Sequence, residues 1–148
     1  MFLKFVKKYL IFYIVLGIFL NGCEFENDNS DSVEIAKNIL GTWKCREKEI
    51  DGNIEITYNV TIAIKDFDST RLRIYNFYNV GNNYHVISDV NGYTLTLLSG
   101  SFGNGFILES GNGTVSPGFK KIDLVYTIDE GDGIKKNILL HTLNDKIL

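Results

Sequence analysis

Residues 54–64 read Ile-Glu-Ile-Thr-Tyr-Asn-Val-Thr-Ile-Ala-Ile, and this stretch decides the fold. Ile54, Ile56, Tyr58, Val60, Ile62 and Ile64 alternate with Glu55, Thr57, Asn59, Thr61 and Ala63. A period of two puts the apolar set on one face of a strand and buries that face. The same period returns in Ile122, Leu124, Tyr126 and Ile128, and in Tyr93, Leu95 and Leu97. Residues 71–80 and 84–90 are strand-like with looser alternation, 106–109 is a shorter run, and 134–143 reads as a closing strand.

The segments between these runs are turn chemistry: Asp51-Gly52-Asn53, Gly81-Asn82-Asn83, Asn91-Gly92, Gly103-Asn104-Gly105, Pro117-Gly118 and Glu130-Gly131-Asp132-Gly133. Asn-Gly and Asp-Gly supply the positive φ of tight hairpins. Strands joined this way pair with their neighbours, so the expected fold is all-β. It is an antiparallel up-and-down meander of about eight strands closing into a small barrel, since closure removes exposed edges. A two-sheet sandwich is the alternative. One short helix is expected before the strands, over residues 33–40. Val33, Ala36, Ile39 and Leu40 keep helical spacing, Ser32 serves as cap and Gly41 as the stop.

Composition agrees with one globular domain: 148 residues, 45% apolar, 13% aromatic and a single proline. The formal charge is −3. Lys4, Lys7 and Lys8 are the only charged residues among the first 22, so the remainder is more acidic still. Such a balance, with scattered cations, gives no basis for nucleic-acid binding.

The N-terminus carries an address. A basic start is followed by the apolar run of residues 9–20, which is too short to span a bilayer and ends at Asn21-Gly22-Cys23. Basic flank, short apolar stretch and small residue describe a secretory signal. Leu20-Asn21-Gly22-Cys23 resembles the lipobox of bacterial lipoproteins. The resemblance implies that Leu20, Asn21 and Gly22 are read by the signal peptidase and that residues 1–22 are removed. Cys23 then takes a diacylglyceryl group and fatty-acyl chains such as palmitate. The alternative is an uncleaved anchor in which Cys23 is incidental. Two or more acyl chains hold a protein stably at a membrane. Residues 23–32 are acidic and polar, a flexible tether ahead of a barrel domain over 33–148. Glu24, Glu26 and Asp28 resemble the acidic surface-export signal of Bacteroidetes lipoproteins; a plain solvated spacer is the other reading. The expected location is the cell envelope, at the outer membrane, with surface exposure as an option. Asp31-Ser32-Val33 and Asp68-Ser69-Thr70 resemble the O-glycosylation motif of the same phylum, which makes Ser32 and Ser69 candidates.

Gly41-Thr42-Trp43 after a helical turn resembles the opening of the lipocalins. In that family the Trp plugs the closed end of an eight-stranded barrel and the open end takes small apolar ligands. A nearer likeness is to the small lipocalin-like lipoproteins of Bacteroidetes. By this resemblance Tyr58, Val60, Ile62, Leu95, Leu97, Leu124 and Tyr126 are candidate ligand-lining positions; plain core is the alternative for all seven.

No catalytic, cofactor or metal constellation stands out. His85 and His141 lie in no ligand-spaced motif, and Cys45 is left without a disulfide partner once Cys23 is lipidated. Residues 129–133 hint at a calcium loop but have Leu140 where a twelfth-position Glu would stand, so they read as a hairpin turn. The expected function is a membrane-anchored, non-enzymatic lipoprotein binding a small apolar ligand. The alternative is a surface protein binding a protein or glycan partner, for which Tyr75, Phe77 and Tyr78 are the suggestive aromatics.

Overall fold

The computed structural model describes residues 29–147, and side-chain surroundings for residues 30–142. The signal segment 1–22 with Leu20, Asn21 and Gly22, the lipidation site Cys23 and tether residues 24–28 lie outside the described residues. Helix α1 (Asn29–Asn38) is followed by β1 (Gly41–Glu49), β2 (Glu55–Lys65), β3 (Asp68–Tyr75), β4 (His85–Asn91) and β5 (Thr94–Leu97). Then come β6 (Gly100–Phe102), β7 (Phe106–Val115), β8 (Ile122–Asp129) and β9 (Lys135–Ile147). Every strand pairing is antiparallel.

The strand order runs β5-β4-β3-β2-β1-β9-β8-β7-β6, and a further β5–β7 pairing joins the two arms. Eight strands thus form a closed ring, with β6 a short flap on β7. Closure excludes the two-sheet sandwich and gives the lipocalin-like barrel. The closing seam depends on glycine. Gly111 faces Leu97 and Tyr126 across its two ladders, and Gly113 faces Leu95 and Leu124. A Cβ on Gly113 would lie 2.2 Å from Leu124 Cδ2 and 2.6 Å from the Asp123 carbonyl oxygen. Here glycine lets the backbones approach while neighbouring side chains fill the barrel.

The two ends differ. α1 covers one of them, packing on β3 and β4 with Ile35 and Ala36 buried, and Ile39 just past its end is buried as well. Trp43 is fully buried beneath it, and its indole N–H donates to the Ile39 carbonyl at 2.8 Å. That bond satisfies a backbone acceptor left open past the helix end. The Ser32 hydroxyl accepts the Gly92 N–H at 2.9 Å, fastening the helix to the β4–β5 turn. The opposite end, the mouth, carries the β1–β2 and β8–β9 connections and the segment between β3 and β4.

Several boundaries differ from expectation. α1 starts at Asn29, so residues 29–32, assigned to the tether, are helical. Ser32 therefore sits inside the helix, not at its cap, and its hydroxyl is spent on the Gly92 contact. The run 71–80 is not one strand. β3 ends at Tyr75, and Asn76 turns left-handed (φ 56°) into a 3-10 turn, Phe77–Asn79. β7 continues well past residue 109, because its inward Gly111 and Gly113 leave no apolar side chain for a periodicity to register. In β2, Tyr58, Val60 and Ile62 point inward as expected, but Ile56 and, just before the strand, Ile54 are exposed at the mouth, beyond the packed interior.

Candidate functional site

The seven residues expected to line a ligand cavity share one interior. Tyr58, Val60, Ile62, Leu95, Leu97, Leu124 and Tyr126 are all buried in a single apolar core with Trp43, Leu72, Ile74 and Leu140. They fill the barrel with side chains, as small barrels do; none of them borders either of the recesses described below.

The mouth side of that core is stoppered by Phe77. Its ring is fully buried, 4.5 Å from the Tyr126 ring and 5.8 Å edge-on to Phe102. The turn delivering it is fixed by Asn76, whose side-chain amide donates to the Asn59 carbonyl at 2.7 Å while its Oδ1 accepts the Gly81 N–H at 2.7 Å. Tyr78 is left-handed as well, with φ 54°. A tyrosine in that region costs on the order of 1–2 kcal/mol. Its hydroxyl donates to Glu130 Oε1 at 2.6 Å, and Glu130 also pairs with Lys136. The aromatics proposed as a partner surface are thus divided. Phe77 is a plug, Tyr78 belongs to the mouth, and Tyr75 lies half-buried on the outer wall, 5.2 Å from the His85 ring.

Below this turn sits Glu47, a residue the sequence reading passed over. Trp43, Cys45 and Glu47 occupy alternate positions of β1 and all point inward. Glu47 is 2% exposed. The hydroxyls of Tyr58 and Tyr126 both donate to its Oε2. Burial pushes the Glu47 carboxyl above the usual glutamate range, and the two tyrosine bonds only partly offset this. Burial next to the carboxyl also raises Tyr58 and Tyr126, so both phenols stay protonated donors. Among the described residues no hydrogen bond reaches Glu47 Oε1, and the fully buried side-chain polar atom without a partner is Arg73 Nε. Glu47 also borders the adjoining recess.

That recess has a volume of about 260 Å³ and runs from Glu47 to the β1–β2 connection. Ile54, Ile56, Ile138 and Tyr78 form its apolar side. Glu47, Lys48, Glu49 and Asn53 form its polar side. A smaller recess of about 200 Å³ lies at the other end, between α1 and the Tyr93 and Phe119 rings, which stack 6.3 Å apart.

The remaining candidates fall elsewhere. Ser32, proposed for O-glycosylation, is buried with its hydroxyl bonded to Gly92, so a glycan there requires that contact to break. Ser69 is half-buried on β3. His85 lies on β4, whereas His141 on β9 contacts Asp123, so the two do not converge with buried Cys45. Asp129 Oδ1 accepts the N–H groups of Gly131 and Gly133, at 2.7 and 3.0 Å, making residues 129–133 a hairpin turn. Burial pushes the Cys45 thiol up to about 12, the character of a small core residue.

No protein-family profile matches this chain, and no curated protein sequence matches it either.

Proposed function

We propose that this chain is a lipid-anchored envelope protein, of the small lipocalin-like type known in Bacteroidetes, which binds a small molecule at the mouth of its barrel. Export and anchoring at Cys23 rest on the lipobox-like Leu20-Asn21-Gly22-Cys23. The binding reading is carried by one observation: a recess walled by isoleucines and bordered by the buried Glu47, whose Oε1 accepts no hydrogen bond among the described residues. A few placed polar groups in an apolar wall orient a ligand. Because side chains fill the interior, the ligand is small and only partly apolar, seated at the end of the barrel and not down its axis.

Native mass spectrometry of the full-length protein, extracted from membranes in mild detergent, tests the binding reading. A copurifying small molecule supports it; a bare polypeptide that also binds nothing from an envelope extract overturns it. Cys23→Ser tests the anchor. Release into the soluble fraction is expected, and retention in membranes overturns lipidation.

A partner protein seated on the mouth is the second reading. It is favoured by Ile50, Ile54, Ile56 and Ile134, which are all exposed at that end, Ile54 by 80%. Crosslinking from the β1–β2 connection to one envelope protein, with no small molecule bound, is the outcome that selects it.

A further inference from the structure

We infer that the mouth recess takes a small organic ammonium ion, held by Glu47 Oε1 and Glu49 with its hydrocarbon against Ile54, Ile56 and Ile138. The inference rests on the mouth-binding reading above and names its ligand class.

Charge comes first. Two carboxylates and one ammonium border the recess, Glu47 and Glu49 against Lys48. Lys48 lies on the opposite face of β1 from Glu47 and is exposed, so it contributes at the rim only. Lys135 and Lys136, also at this end, are already engaged with Glu109 and Glu130. An anionic ligand would thus meet two acidic side chains, Glu47 and Glu49, against the single Lys48 among the described lining residues. Desolvating a charge near like charges is unfavourable. A cationic ligand meets the reverse situation.

Geometry comes second. The Tyr58 and Tyr126 hydroxyls both end on Oε2. They leave Oε1 without a hydrogen bond among the described residues, on a side chain that borders the recess. Both phenols stay protonated and spend those protons on Oε2, so neither serves Oε1. The buried carboxyl therefore lacks one favourable neighbour, and an N–H donor bearing positive charge supplies it. The apolar wall decides between a metal ion and an organic cation. Three isoleucines offer no ligand to a metal, whereas they cover the hydrocarbon of an alkyl- or arylalkylammonium ion.

The test is calorimetric titration of the full-length protein in neutral detergent with 2-phenylethylammonium, 2-phenylethanol and 3-phenylpropanoate. The ammonium ion is expected to bind at least about tenfold more tightly than the alcohol, and the carboxylate not measurably. Glu47→Gln keeps an acceptor for the tyrosines and is expected to weaken the ammonium ion by about 10- to 100-fold without changing the alcohol. Should Glu47→Gln fail to fold, Glu49→Gln at the exposed rim still gives a several-fold loss confined to the ammonium ion. Asp89→Asn, whose carboxylate pairs with Arg71 at the other end of the barrel, is expected to leave binding unchanged. Equal binding of ammonium and alcohol, or preference for the carboxylate, overturns the charge assignment while the recess remains a binding site. If no probe binds the wild-type protein, this inference falls. The mouth-binding reading falls with it only if the native protein also carries no small molecule.

Discussion

Replacing Gly113 by alanine probes the seam that closes the barrel. The added Cβ meets Leu124 Cδ2 at 2.2 Å and the Asp123 carbonyl oxygen at 2.6 Å. Leu124 can rotate, but the carbonyl belongs to the paired β8 ladder and cannot move without breaking register. Overpacking of this kind costs about 1–3 kcal/mol, and a backbone clash puts Gly113→Ala near the upper limit. Reduced freedom of the unfolded chain returns about 0.4–1 kcal/mol, since Gly113 does not require a positive φ. The net expectation is a loss of about 2 kcal/mol, or roughly 8 °C in Tm for a domain of this size. Gly100→Ala is the control. Nothing lies within 4 Å of its Cβ and its φ is not positive, so a small gain is expected. Thermal unfolding by circular dichroism measures both. A Gly113→Ala protein as stable as wild type would refute the close β7–β8 approach on which the filled interior depends.

Glu47 makes a pH signature. Its folded pKa is raised, so its unfavourable contribution is absent below the ordinary glutamate value and grows as pH rises through the folded one. Wild type should therefore gain stability over Glu47→Gln as pH falls from 7 towards 4, measured by urea midpoints; parallel curves refute the burial. Asp66, Asp68 and Glu130, held below the usual carboxylate range by hydrogen bonds, lose their contributions at lower pH in both proteins and cancel in the comparison. Phe77→Ala should cost about 3–5 kcal/mol and open an apolar cavity. Uptake of a naphthalene-type fluorophore by the variant and not by wild type is the readout, and equal uptake counts against the plug. The Cys45 thiol should resist a disulfide reagent in the folded protein and react fully in denaturant; rapid labelling of the native state contradicts its burial.

The sequence carried the barrel because most wall strands bury one face, and alternation reports that directly. The inward rows of β8 and the middle of β2 are where the pattern in 122–128 and 58–62 put them. It was silent at Gly111 and Gly113, which do structural work without a side chain. It misled at 71–80, where aromatic residues suited a strand but Asn76 could adopt left-handed backbone and end it. The site was hidden for a different reason. Glu47 carries a polar label at an inward position, and the charged residues of 44–49 hide the alternation of β1. Carrying the period one step further along Trp43 and Cys45 would have flagged a carboxyl facing the core. Its tyrosine partners come from β2 and β8, 11 and 79 residues away, a distance no local pattern reports.

Helix α1 also sets a direction. The chain reaches the barrel through this helix, and the helix is pinned to the covered end by the Ser32–Gly92 and Trp43–Ile39 bonds. Whatever holds the polypeptide upstream of Asn29 therefore pulls on the sealed base, across the full height of β1 from Glu47. Under the proposed anchoring at Cys23, the pull falls on the foot of the molecule and the Glu47 end lies farthest from the point of attachment.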